Sequence, residues 1–233
     1  MAKVNKQELS QALKVKLLET WKISDEINTA VGLVTDSDEQ LPHQINIAFS
    51  EFKEGIQAIK DDNESEKFDA IADLHVTVSP CVMMYAGDKT LLDQDYEHEL
   101  NPENKDFNTL IHDAQREFLS TEHTVHHFVS SLDYLCDLAA AKDIDTEQMI
   151  EYFDAVNKSN LTKFPKVGTV DPEVECDKIE AKGRYTDVYF EEGELLGEKV
   201  YIFKSNYDKE NNERFTNGKY LKPSVFVDVQ ELL

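Results

Sequence analysis

Apolar residues recur every three to four positions through most of the first two-thirds of the chain. Leu9, Leu13, Leu17 and Trp21 fall on one face of an amphipathic helix predicted over about residues 6–24. The polar stretch Thr35–Pro42 reads as a linker ending at a helix-starting proline. Ile45, Ala48, Phe49, Phe52, Ile56 and Ile59 then predict a second helix to about Lys60, which Asp61-Asp62-Asn63 breaks. A third begins near Glu64. Phe68, Ala72, Leu74, Val76, Val78, Val82 and Met83 make it apolar around much of its circumference, the pattern of a central helix, with a kink or a stop expected at Pro80. Residues 86–105 are polar and read as irregular. From Leu110 through Ile111, Ala114, Phe118, Val125, Phe128, Val129, Leu132 and Leu135 to Leu138 the helical spacing resumes, predicting a helix to about Ala141. At 1.5 Å per residue it would be roughly 50 Å long, enough to reach a second subunit. Asp145-Thr146-Glu147 opens a short helix to about Asn157.

The periodicity changes after Lys163. Residues 184–203 alternate aromatic and β-branched residues around glycines and predict two short strands. Asn217-Gly218 reads as a turn, and Val225–Val229 as a last extended piece. The expected fold class is therefore mainly α. The expected organisation is a helical domain over residues 1–163 with a small β-rich extension over 164–233 packed on it.

Composition narrows the function classes. With 47 Asp and Glu against 24 Lys and Arg, the net charge of −23 repels phosphate backbones and anionic lipid. Neither nucleic acid nor membrane is an expected partner. No run of about 18 apolar residues suggests a membrane span, and the opening residues MAKVNKQELSQALKVK lack an apolar signal core. Cys81, Cys136 and Cys176 show no Cys-x-x-Cys or Cys/His zinc spacing and read as free thiols in a reducing, cytoplasmic compartment.

Against this background four acids stand out. Glu51 and Glu54 are three apart on the second helix; Asp69 and Asp73 are four apart on the third. Each pair shares a helix face. The short break between the helices predicts antiparallel packing, so the pairs could oppose each other among apolar neighbours. Facing carboxylates repel, and a hard divalent cation relieves that repulsion; oxygen-only ligands suit Mg2+, with Mn2+ able to substitute. Such spacing also occurs on solvated helices, so by itself it leaves both readings open.

Glu51-Phe52-Lys53-Glu54 followed by Asp69-Ala70-Ile71-Ala72-Asp73 resembles the signature of the MazG-like all-α nucleoside triphosphate pyrophosphohydrolases. These include phosphoribosyl-ATP pyrophosphatase and dimeric dUTPases, with the greater likeness to phage and bacterial members whose second half reads DAxAD. Val156–Lys163 and Gly218–Pro223 resemble later segments of the same proteins. The resemblance implies a helical bundle of the all-α NTP pyrophosphatase type, a homodimer or homotetramer in the cytoplasm (the host's, if phage-encoded). It implies Mg2+-dependent cleavage of a nucleoside triphosphate to monophosphate and pyrophosphate. Glu51, Glu54, Asp69 and Asp73 would be the metal and catalytic residues, and Asn157, Lys158, Asn160 and Lys163 would contact substrate. Two departures are visible. Ser50 stands where the family often has an acid, and Ala70 where it often has Glu, with Asp69 offering an acid one residue earlier.

The remaining chemistry is sparse. Asn157, Lys158, Ser159, Asn160 and Lys163 gather at a helix end, where lysine also complements the helix dipole without any ligand. Only Arg116, Arg184 and Arg214 supply guanidinium groups, so phosphate charge would fall to metal ions and lysines, with Lys219 and Lys222 as further contributors. His123, His126 and His127 lack a third zinc-ligand pattern, and His75 falls on a different face from Asp73, as a packing residue. There is no GxSxG elbow and no P-loop. The alternatives are a catalytically reduced relative that binds nucleotides, and an acidic protein-interaction module.

Overall fold

The computed structural model describes residues 6–32, 40–86, 106–119, 138 and 146–232. The described chain runs α1 (Lys6–Ala30), α2 (Gln40–Lys60), α3 (Glu64–Ala86), α4 (Phe107–Phe118), α5 (Thr146–Thr162), α6 (Pro172–Ala181), β1 (Tyr185–Leu195), β2 (Glu198–Asp208), β3 (Glu213–Tyr220) and a 3-10 turn, Val229–Glu231. It divides into two compact units. One comprises Met1–Ser24 and Val34–Phe153, the other Asp25–Leu33 and Asp154–Leu233. The dividing points fall within α1 and α5, so each of these helices contributes residues to both units.

In the first unit α2 and α3 form an antiparallel hairpin. Its turn is built from Asp61-Asp62-Asn63. Asp62 takes the left-handed conformation at φ 50°. The Asn63 N–H then donates to Ala58 O at 3.0 Å and the Asp62 N–H to Ile59 O at 3.2 Å, which closes α2. Asn63 also starts α3, its Oδ1 accepting from Glu66 N at 3.4 Å. The hairpin register shows at two points. Gln44 Nε2 donates to Thr77 O at 3.0 Å, and Gly55 lies against Ala70. Phe52, Ile71, Leu74, Leu110, Ile111 and Phe118 are fully buried on α2, α3 and α4, and the Phe52 and Phe118 rings lie 5.5 Å apart where α2 meets α4.

Of the kink or stop expected at Pro80, the stop does not occur: the proline is buried inside a helix that continues to Ala86. One expectation changes. The helix expected from Leu110 to Ala141 ends as α4 at Phe118, where Leu119 leaves helical geometry and its N–H donates to Gln115 O at 2.9 Å. Residues 120–137, with His123, His126 and His127, lie outside the described residues, as does most of the 86–105 segment.

The second unit overturns the mainly-α expectation. Its three strands form an antiparallel sheet of order β1-β2-β3, extended on one edge by a single Lys166–Val200 bridge. Strands β1 and β2 are 11 residues each and pair from Tyr185–Asp208 to Leu195–Glu198. Leu196 and Gly197, at φ 52° and 76°, close that hairpin. Helix α6 packs on the sheet over Cys176, Ile179, Tyr201, Phe203 and Leu221, with Val188 and Phe190 beside them. The fold is thus mixed, helices plus a sheet with its own core, and not a helical bundle of the all-α NTP pyrophosphatase type with a small appendage.

The reasons differ from element to element. Tyr201–Ser205 are buried without a break because neighbours lie over both faces of β2, the α6 residues against Tyr201 and Phe203 and the Val31 carbonyl accepting from Lys204 Nζ at 3.3 Å, so alternation is lost there. Asn217-Gly218 does not turn the chain; Gly218, at φ 72°, sits inside β3, whose pairing with β2 is irregular between Ser205 and Tyr207. Helix α6 carried its own signals, since Asp171 caps it by accepting from Glu173 N and Val174 N, with Pro172 in the first turn. Val225–Asp228 is not a strand.

Candidate functional site

Helices α2 and α3 bring three of the four expected acids together. Glu51 is half-buried, and its carboxyl is raised to about 7, first by burial and then by the negative charges of Glu54 and Asp69. The register explains the juxtaposition. Glu51 is one turn before Gly55 on α2, and Asp69 is next to Ala70 on α3, so the Gly55–Ala70 contact sets both acids beside the same seam. Glu54 is exposed; Asp69 and Asp73 are half-buried. Asp73 follows Asp69 by one helical turn, and its backbone carbonyl accepts from Thr77 Oγ1 at 2.8 Å.

A Glu51 carboxyl that keeps its proton beside the negative charges of Glu54 and Asp69 is a donor suited to a hard divalent cation, which would replace that proton. In chemistry and charge Glu51, Glu54 and Asp69 fit Mg2+. They are electrostatically coupled but not closed around a point: among the described residues, no three His, Cys, Asp or Glu side chains are gathered tightly enough to hold a metal ion as they stand.

No family model, curated protein or solved structure matches the chain. The site is therefore read from its own residues.

The two departures in the acidic motifs have structural counterparts. Ala70 is 6% exposed and its Cβ lies 3.0 Å from where a Cβ on Gly55 would sit. A side chain longer than alanine at position 70 would point into this buried contact, whereas the neighbouring Asp69 is half-buried. Ser50 is exposed and its hydroxyl bonds back to Asn46 O at 3.1 Å. His75 is fully buried, its Nδ1 2.6 Å from Ile71 O and its ring 5.7 Å from Phe153; burial lowers it to about 4, so it is a neutral packing residue.

The expected substrate contacts belong to the second unit. Asn157 is buried and Lys158 exposed, so these neighbours on α5 face different ways. Lys163 Nζ donates to Asn160 Oδ1 at 2.7 Å, and Ser159 Oγ donates to Val227 O at 2.8 Å, fastening the C-terminal segment. Lys219 and Lys222 lie over the Phe215 and Phe226 rings. The arginines are engaged as well. Arg116 pairs with Asp113 at 2.9 Å, Arg184 with buried Asp208 at 2.9 Å, and Arg214 stacks on Tyr207. Asp208 also accepts from the Glu210 and Asn211 N–H groups, and with Arg184 beside it stays ionised down to about 2.

The residue that sequence reasoning passed over is Gly55. A glycine in mid-helix weakens the helix and marks a close approach of other atoms, and that signal was available between Glu54 and Ile56. No helix among the described residues is long and apolar enough to cross a membrane.

Proposed function

We propose that the chain is a Mg2+-dependent nucleotide pyrophosphohydrolase, cleaving a nucleoside triphosphate to monophosphate and pyrophosphate at the α2–α3 carboxylates. The observation that carries the proposal is the coupled group of Glu51, Glu54 and Asp69, with the Glu51 carboxyl raised to about 7. A bound divalent ion would neutralise phosphate oxygens and lower the pKa of an attacking water. Glu51, Glu54, Asp69 and Asp73 would hold that ion, releasing the Glu51 proton as they do so. The half-buried setting of Glu51 and Asp69 screens the site less than bulk water would and strengthens their hold on the ion. The contacts implied for Asn157, Lys158, Asn160 and Lys163 carry no weight in the proposal.

The test is incubation of the purified chain with each ribo- and deoxyribonucleoside triphosphate in Mg2+, with detection of pyrophosphate. Turnover of at least one, lost in Glu54→Gln and Asp73→Asn proteins of unchanged helicity, supports the proposal. No turnover of any nucleotide removes it. A second reading, nucleotide binding without hydrolysis, is favoured by Ser50 standing where the resembled family often has an acid. Calorimetry that finds nucleotide binding with no pyrophosphate release would select it.

A further inference from the structure

We propose that Gly55 and Ala70 are positioning residues, whose close packing sets the α2–α3 separation and with it the spacing of the helix faces that carry Glu51, Glu54 and Asp69. The geometry is direct. A Cβ on Gly55 would lie 2.7 Å from Ile111 Cδ1 and 3.0 Å from Ala70 Cβ, inside ordinary contact distances. Both residues are buried, and the contact adjoins the acids on each helix: Glu54 precedes Gly55 and Asp69 precedes Ala70. Helix propensity would place alanine at position 55, and no turn or left-handed backbone there calls for glycine. The remaining reason is space, and what the space brings near each other is the pair of acid-bearing faces. Turning α2 to keep the same separation with a larger residue would swing Glu51 away from Asp69, because Glu51 and Gly55 are one helical turn apart on one face.

The inference rests on the cation-site reading above for its effect on metal binding, though not for its effect on helix separation. The experiment measures Mn2+ affinity by paramagnetic resonance on the full chain and on Gly55→Ala, Gly55→Ala/Ala70→Gly and Met149→Ala, each with its Tm. Met149 is buried on α5, away from the acids in sequence, and serves as a control for lost stability. Gly55→Ala should weaken Mn2+ binding about tenfold or more, the effect typical of disturbing residues that orient metal ligands. Removing the Ala70 methyl in the double variant should restore most of that loss, because the contact that remains, Ile111 Cδ1, is the end of a side chain that can turn aside, and Met149→Ala should lower Tm with affinity unchanged. Equal affinity in Gly55→Ala and the parent overturns the inference, as does an equal loss in Met149→Ala. If the parent protein takes up no Mn2+, the cation reading itself fails, and crystal structures decide the positioning claim. A Glu51–Asp69 Cα separation that widens in Gly55→Ala and closes again in the double variant supports it; an unchanged separation overturns it. Should Gly55→Ala not fold, Ala70→Ser crowds the same seam by one oxygen and is read in the same way.

Discussion

Replacing Glu51 by glutamine should stabilise the metal-free protein at neutral and alkaline pH, although it removes a group the proposed reaction needs. The Glu51 carboxyl is raised from 4.5 to about 7 by burial and by Glu54 and Asp69. In the unfolded chain it titrates near 4.5, so between pH 4.5 and 7 the folded state binds more protons. Its favourable contribution is complete below pH 4.5 and is lost as pH rises through 7. At about 1.4 kcal/mol per pKa unit the full displacement corresponds to roughly 3 kcal/mol. Glu51 is only half-buried, and solvent screening brings the expected value to about 1–2 kcal/mol. Glutamine keeps the shape of the protonated acid and cannot ionise. Urea denaturation in a chelator, followed by ellipticity at 222 nm, should therefore find Glu51→Gln more stable than the parent by about 1–2 kcal/mol at pH 8 and by only a few tenths at pH 5. Added Mg2+ should raise the parent's midpoint and leave the variant's in place. A variant no more stable than the parent at pH 8, or a gap of equal size at pH 5, would refute the claim that burial, with Glu54 and Asp69, holds a proton on Glu51.

Other outcomes follow from the same structure. Ala70→Glu restores the acid that the resembled family often carries but forces it against Gly55; it should cost about 3 kcal/mol or more in urea denaturation, and stability equal to the parent would show that α2 and α3 are not in contact there. Leu196, half-exposed in the β1–β2 turn, adopts φ 52°, which asparagine tolerates better; Leu196→Asn should raise stability by about 0.5–1 kcal/mol, seen as a higher Tm. His75 is buried neutral and lowered to about 4, so the unfolded chain binds its proton first and stability should fall as pH drops from 6.5 towards 4; His75→Phe should flatten that part of the stability–pH curve, and an unchanged slope would count against a buried neutral imidazole. Phe52→Ala empties a fully buried position against Phe118 and should cost about 3–5 kcal/mol by the same denaturation assay.

Much of the first unit was legible in order. Helical periodicity located α2 and α3, Asp61-Asp62-Asn63 marked the break, and the spacing of Glu51, Glu54, Asp69 and Asp73 put each pair on one face. These features depend on neighbours three or four residues apart, which a sequence displays directly. The second unit was less legible because its pattern depends on partners far along the chain. Tyr201–Ser205 are uniformly buried since α6 residues cover Tyr201 and Phe203 while Lys204 reaches the Val31 carbonyl, and Asn217-Gly218 falls in the irregular stretch of β3 between its paired residues Arg214 and Lys219. The acids show the same division. Their identity and their helix faces came from the sequence alone. Their coupling, and the placement of Asp69 beside buried Ala70, were decided by how closely α2 and α3 pack; the mid-helix Gly55 was a visible signal of a close approach, but only Ile111 and Ala70 beside it show what approaches.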